Sequence, residues 1–89
     1  MVYNDYGFPG HFREINDLRK SGKLDEAEAL ARQDISEVND KWSWNAFFWV
    51  MRARCMNTFR ANERDKAKAY FKEASEALEH MEDDDVASQ

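Results

Sequence analysis

Proline occurs once in this chain of 89 residues, glycine three times and cysteine once. So few chain-breaking residues exclude a fold of many short strands and tight turns, and they favour long helices joined by few turns. The single Cys55 rules out an intramolecular disulfide. With no second Cys and no His at ligand spacing, it reads as a buried thiol in a reducing compartment, so a cytoplasmic location is expected. Long apolar runs are missing too. The longest, Ala46 to Met51, falls far short of the ~20 residues that a membrane-spanning helix needs. The first thirty residues hold no apolar segment behind a basic start, so no secretory signal is expected. Positive charge is also in deficit: 13 Lys plus Arg stand against 18 Asp plus Glu, a formal net charge of -5. That balance repels phosphate backbones and anionic lipid, so neither a nucleic-acid nor a membrane partner is expected.

What is present is a composition of 43% hydrophobic and 13% aromatic residues, too rich for a disordered chain, with 35% charged residues for the surface of helices. At this length one thin core can form, burying roughly 60–65% of the unfolded chain's surface. Residues 1–10 carry Gly7, Pro9 and Gly10 without helical period and read as an extended arm. Phe12, Ile15 and Leu18 then recur at helical spacing until Ser21-Gly22, which predicts a helix over about 11–21. Leu24, Ala27, Ala31 and Ile35 predict a second over 24–38, with acids in its first turn. Asn39-Asp40 makes a turn. A third helix runs from about 42 to 60 without Gly or Pro, and a fourth begins near 65 after Ala61-Asn62-Glu63-Arg64. Residues 82–89, EDDDVASQ, read as an acidic, frayed tail outside a four-helix domain of residues 11–81. The expected fold class is therefore all-α, two antiparallel helical hairpins.

The two hairpins are related in sequence. Gly22 to Ala27 aligns with Asn62 to Ala67, and Leu30 to Ile35 with Tyr70 to Ser75, at an offset of 40 residues. The stretch LRKSGKLDEAEALAR, Leu18 to Arg32, resembles the turn and second helix of a tetratricopeptide repeat, and Asn62, Ala67, Phe71 and Ala74 are similar to the family pattern in the second copy. The chain departs from that pattern in its repeat length, 40 against the family's 34. It also lacks the usual aromatic and glycine of the first helix and a closing proline, and a plain four-helix bundle is the alternative. The chain is also similar to N-terminal helical segments of larger bacterial multidomain proteins.

A catalytic constellation is not apparent. His11 and His80 lie at opposite ends of the chain, Cys55 is alone, and no glycine-rich phosphate loop or His-Glu metal motif occurs. The acids Asp25, Glu26 and Glu28 fit the first turn of a helix. No enzymatic activity, cofactor or metal is expected.

The signal lies in KWSWNAFFWV, residues 41–50, where all three tryptophans fall. At 100° per residue one arc of the third helix, Trp44, Phe47, Phe48, Met51, Cys55, Thr58 and Phe59, reads as core, and the arc of Ser43, Arg54, Asn57 and Ala61 as solvent-facing. A third arc, Lys41, Trp42, Asn45, Trp49, Arg52, Met56 and Arg60, mixes Trp, Arg and Met as interface hot spots do. The tetratricopeptide resemblance implies that Trp49, Arg52, Met56 and Arg60 face a groove, joined from helix one by Phe12, Asn16, Arg19 and Lys20. Together with Trp42 these are the candidate partner-binding residues. The surface suits an acidic peptide or a chain-terminal carboxylate. The arm residues Val2, Tyr3, Tyr6 and Phe8, a second copy of the chain, or a separate protein partner could cover Trp42 and Trp49. The expected function is a non-enzymatic interaction module, an adaptor or a recognition domain of a larger bacterial protein. The alternative is a small acidic inhibitor or antitoxin-like protein that mimics charge through Glu26, Glu28, Glu37 and Asp83 to Asp85.

Overall fold

A computed structural model describes the backbone of residues 10–87 and the side chains of residues 10–81. The arm expected over residues 1–10 lies outside this range except for Gly10. The described chain is all-α, with four helices and no strand: α1 (Phe12–Lys20), α2 (Leu24–Glu37), α3 (Lys41–Arg60) and α4 (Arg64–Ala87).

The first three helices end where the local sequence can leave the α region. After α1, Gly22 takes φ +83°, its N–H bonds to the Arg19 carbonyl at 3.1 Å, and the Lys23 N–H bonds to the Leu18 carbonyl at 2.9 Å. These two bonds form a Schellman stop, which satisfies carbonyls that the helix end would leave unpaired. After α3, Asn62 at φ +63° does the same: its N–H reaches Phe59 O at 3.0 Å, and the Glu63 N–H reaches Thr58 O at 2.8 Å. Residue for residue, the two turns use the same bonds 40 positions apart. Between the hairpins Asn39 also takes positive φ, and Asp40 opens α3 by accepting the Ser43 N–H at 3.0 Å, the bond of an N-cap.

The core gathers around α3. Ile15 of α1, Ala27 and Ala31 of α2, Ala46, Phe47, Val50 and Met51 of α3, and Ala74 and Ala77 of α4 form one buried cluster. Its many alanines let helix backbones approach closely, while Ile15, Phe47, Val50 and Met51 fill the space between them. α3 packs most extensively on α4, then on α2 and α1, and there is no comparable packing between α1 and α4. Two arginines tie the surface. Arg32 on α2 grips both carboxylate oxygens of Glu73 on α4, at 3.0 and 3.1 Å, and Arg54 on α3 reaches Asp25 and Glu28 on α2. Such exposed or half-exposed pairs contribute little each, on the order of 0–1 kcal/mol, but they set which helix faces meet.

Several expectations are corrected. Of the arc of α3 expected as core, Phe47 and Met51 are buried, but Trp44, Phe48 and Cys55 are only half-buried and Phe59 is 69% exposed. α4 covers the middle of that arc and leaves its far edge open. Cys55 is therefore not a core thiol. In the arc expected to face solvent, Ser43 is buried because its N–H and hydroxyl both turn to Asp40, and Arg54 is half-buried against α2. Of the acids expected in the first turn of α2, Asp25 and Glu26 lie there and Glu28 follows one turn on, and Asp25 and Glu28 are ion-pair partners of Arg54. Finally, helical backbone continues through the acidic run to Ala87, since no Gly or Pro interrupts it, so Met81 does not end the helix.

Candidate functional site

The face formed by α1 and α3 holds two aromatic groups. At one end Phe12 of α1 meets Trp42 of α3 edge to face, with ring centroids 5.3 Å apart, and the Lys41 ammonium lies 5.6 Å from the Trp42 ring. One helical span further, Trp49 is 37% exposed and flanked by two guanidinium groups, Arg19 of α1 at 5.7 Å and Arg52 of α3 at 5.3 Å from its ring. Asn16 accepts a long 3.4 Å hydrogen bond from Arg19, and Phe48 packs edge-on to Trp49 at 5.4 Å. The indole is thus fixed in place with a surface still open to solvent. Guanidinium groups against its π-face are favourable, and their remaining N–H donors can pair with a carboxylate.

The candidate residues therefore fall into groups. Phe12 with Trp42, and Asn16, Arg19, Trp49 and Arg52 together, form the α1–α3 face. Met56 turns away from it and, with Arg52, lines a second groove between α3 and α4. Lys20 and Arg60 are exposed and enter no ion pair or hydrogen bond among the described residues.

The second groove, which the sequence reasoning did not anticipate, has a volume of about 520 Å³ along Phe48, Cys55, Met56, Phe71 and Leu78 and continues past Cys55 and Phe71 to Phe59, Arg64 and Lys68. Phe71 is 65% exposed and Leu78 40%. The alignment of Ala31 with Phe71 at the 40-residue offset was the available signal, because it puts a large apolar residue where the first hairpin has a small one.

The two histidines have structural partners. Asp34 of α2 is buried and accepts from the His11 N–H at 2.7 Å, while the His11 ring nitrogen Nδ1 lies 2.8 Å from its other oxygen. This carboxylate serves the start of α1, where no side chain of α1 itself caps the helix. The hydrogen bond to Asp34 holds the His11 pKa above its ordinary 6.5, and the nearby carboxylates of Asp34, Glu14 and Glu37 act in the same direction against partial burial. Gly10 is required beside it: at φ +63°, a Cβ there would fall 2.6 Å from Asp34 Oδ2. His80 of α4 stacks flat on Trp44 at 3.8 Å, and the Trp44 indole N–H donates to Asn39 Oδ1 at 3.0 Å. Among the described residues no three His, Cys, Asp or Glu side chains come together as a metal site would need, and no helix is long and apolar enough to cross a membrane.

Comparison with protein-family models, curated proteins and solved structures finds no match to this chain.

Proposed function

We propose that the chain is a protein-interaction module built from two tetratricopeptide-like hairpins, which takes a partner peptide or helix on the α1–α3 face. The observation that carries this reading is Trp49, a large aromatic more than a third exposed yet fixed between Arg19 and Arg52. Trp and Arg together give wide contact area and directional donors at little ordering cost, as interface anchors require. The hairpin reading is supported by the matched turn bonds 40 residues apart and by the packing of α1 on α3 with no comparable packing of α1 on α4. A closed bundle would bring its first and last helices together. The module has no catalytic role in this reading, works in the cytoplasm, and prefers an acidic segment or a terminal carboxylate because Arg19 and Arg52 both present to the face.

The charge-mimic alternative is less favoured because, of its acids, Glu28 is already engaged by Arg32 and Arg54 and Glu37 accepts from Gln33 within the fold. The test is a pulldown with the whole protein, comparing wild type with Trp49→Ala and Arg19→Glu. Both variants should lose the partner while circular dichroism and the melting temperature stay near wild type. Partner retention by both variants, with loss on Glu26→Gln or Glu37→Gln, would reverse the assignment in favour of charge mimicry.

A further inference from the structure

Every exposed large apolar side chain among the described residues belongs to α3 or α4: Trp49, Met56, Phe59, Phe71 and Leu78. Four of these, all but Trp49, line the groove between those two helices. The internal repeat says what kind of element such a groove accepts. Shifting the first hairpin by 40 residues places Ile15 on Cys55, Ala31 on Phe71 and Val38 on Leu78. In the first hairpin Ile15 and Ala31 are fully buried, and they share one cluster with Ala46, Phe47 and Val50 of α3. A helix covers that face there. In the second hairpin the corresponding face has no covering helix among the described residues, and it is built of larger apolar groups.

Charge selects among helices. Among the described residues Arg52, Arg64 and Lys68 line the groove and no carboxylate does, although the chain as a whole carries a net charge of -5. A second copy placed face to face would bring these cations together at the seam, which opposes self-association. From these observations we infer that the α3–α4 groove docks an amphipathic helix of a partner protein, with a ridge of small and aliphatic residues flanked by Glu or Asp. From Ala67 to Leu78 the groove runs along about 16 Å of α4, at 1.5 Å per residue, so a helix of roughly three turns fills it. This surface adjoins the α1–α3 face at Phe48 and Arg52, while Cys55, Met56, Phe59, Arg64, Lys68, Phe71 and Leu78 belong to it alone.

The test uses two synthetic helix-forming peptides of about sixteen residues with the same Ala/Leu ridge, one flanked by Glu and the other by Lys, titrated into the full chain by fluorescence anisotropy. The Glu peptide should bind, with affinity falling as salt rises, and the Lys peptide should bind at least about tenfold more weakly. Phe71→Asp and, independently, Lys68→Glu should each weaken the Glu peptide about tenfold or more with helicity unchanged, since both side chains are exposed. Arg19→Glu, on α1 and outside the groove, should bind it as wild type does, so failure of the α1–α3 reading leaves this result standing, and the reverse holds too. Equal binding of the two peptides, no binding of either, or no effect of Phe71→Asp would overturn the proposal. So would a wild-type dimer in sedimentation that Phe71→Asp dissolves, because the occupant would then be a second copy.

Discussion

The two hairpins share a turn chemistry and differ in what lies on their outer faces. In the first, Ile15 and Ala31 are enclosed and Asp34 locks the start of α1 to α2. In the second, the corresponding Cys55 is half-exposed, Phe71 is 65% exposed, and Ala74 stands where the first hairpin has Asp34. One hairpin is finished by its neighbour, and the other has no covering helix among the described residues. A repeated supersecondary unit cannot bury its apolar face alone, so an uncovered unit either carries polar residues there or keeps an apolar face for something else. Among the described residues the second hairpin keeps the apolar face, which is the basis of the docking surface proposed above.

The comparison can be broken most directly at the pair Ile15 and Cys55. Ile15→Ala removes a fully buried side chain at the centre of the cluster and should cost about 2–5 kcal/mol, enough to leave so small a domain partly unfolded. Cys55→Ala at the matching position should cost below about 1 kcal/mol. Urea titration of both variants measures the difference. Equal costs would mean that the α3–α4 groove is as well packed as the interior of the first hairpin. Next in size is Asp34→Ala, which strands the His11 N–H at the start of α1 and leaves a small cavity. A loss of about 1–3 kcal/mol is expected, read in the same titration.

Much of this architecture could be read from the chain itself. Ser21-Gly22, Asn39-Asp40 and Asn62 can adopt positive φ or cap a helix, so they mark helix ends to within about a residue, and the repeat at 40 residues follows from the same positions. The arc of Trp42, Trp49 and Arg52 was legible as well, because angular position on a helix depends only on spacing. Coverage was not. Periodicity says that Phe47 and Phe59 share a side of α3, but only the placement of α4 decides that one is buried and the other bare. Arg54 was misread because a long side chain can lay its stem along the protein and reach acids on another helix. Asp34 sits seven residues after Ala27 on the buried stripe of α2, and its partner His11 precedes α1, a pairing across 23 positions that no local pattern announces.

A smaller effect separates the two αL stops. Gly22 has open space around its missing Cβ, so Gly22→Ala is opposed only by the left-handed backbone, a loss of about 1 kcal/mol. Asn62 already bears that strain in part, and Asn62→Gly should raise stability by a few tenths of a kcal/mol. Melting temperatures of the two variants should therefore move in opposite directions. A drop in both would show that the Asn62 side chain contributes something the backbone bonds do not explain.

The smallest expected effect is a dependence on pH confined to the first hairpin. The His11 pKa is raised in the folded protein by its bond to Asp34, so the protonated imidazole stabilises the fold fully below the ordinary value of 6.5, and that contribution is lost as pH rises through the raised value. The imidazole side chain is 41% exposed, and solvent screening keeps the effect below about 1 kcal/mol. Hydrogen exchange resolves it. After correction for intrinsic base catalysis, protection of the Ile15 amide, which bonds to the His11 carbonyl, should fall between pH 6 and 8, while protection at Cys55 in α3 stays level. Asp34→Asn should flatten the first profile without touching the second. Parallel profiles at both positions in the wild type would place the titrating group outside the His11–Asp34 latch, because the second hairpin has Ala74 at the corresponding position and no carboxylate there to hold a proton.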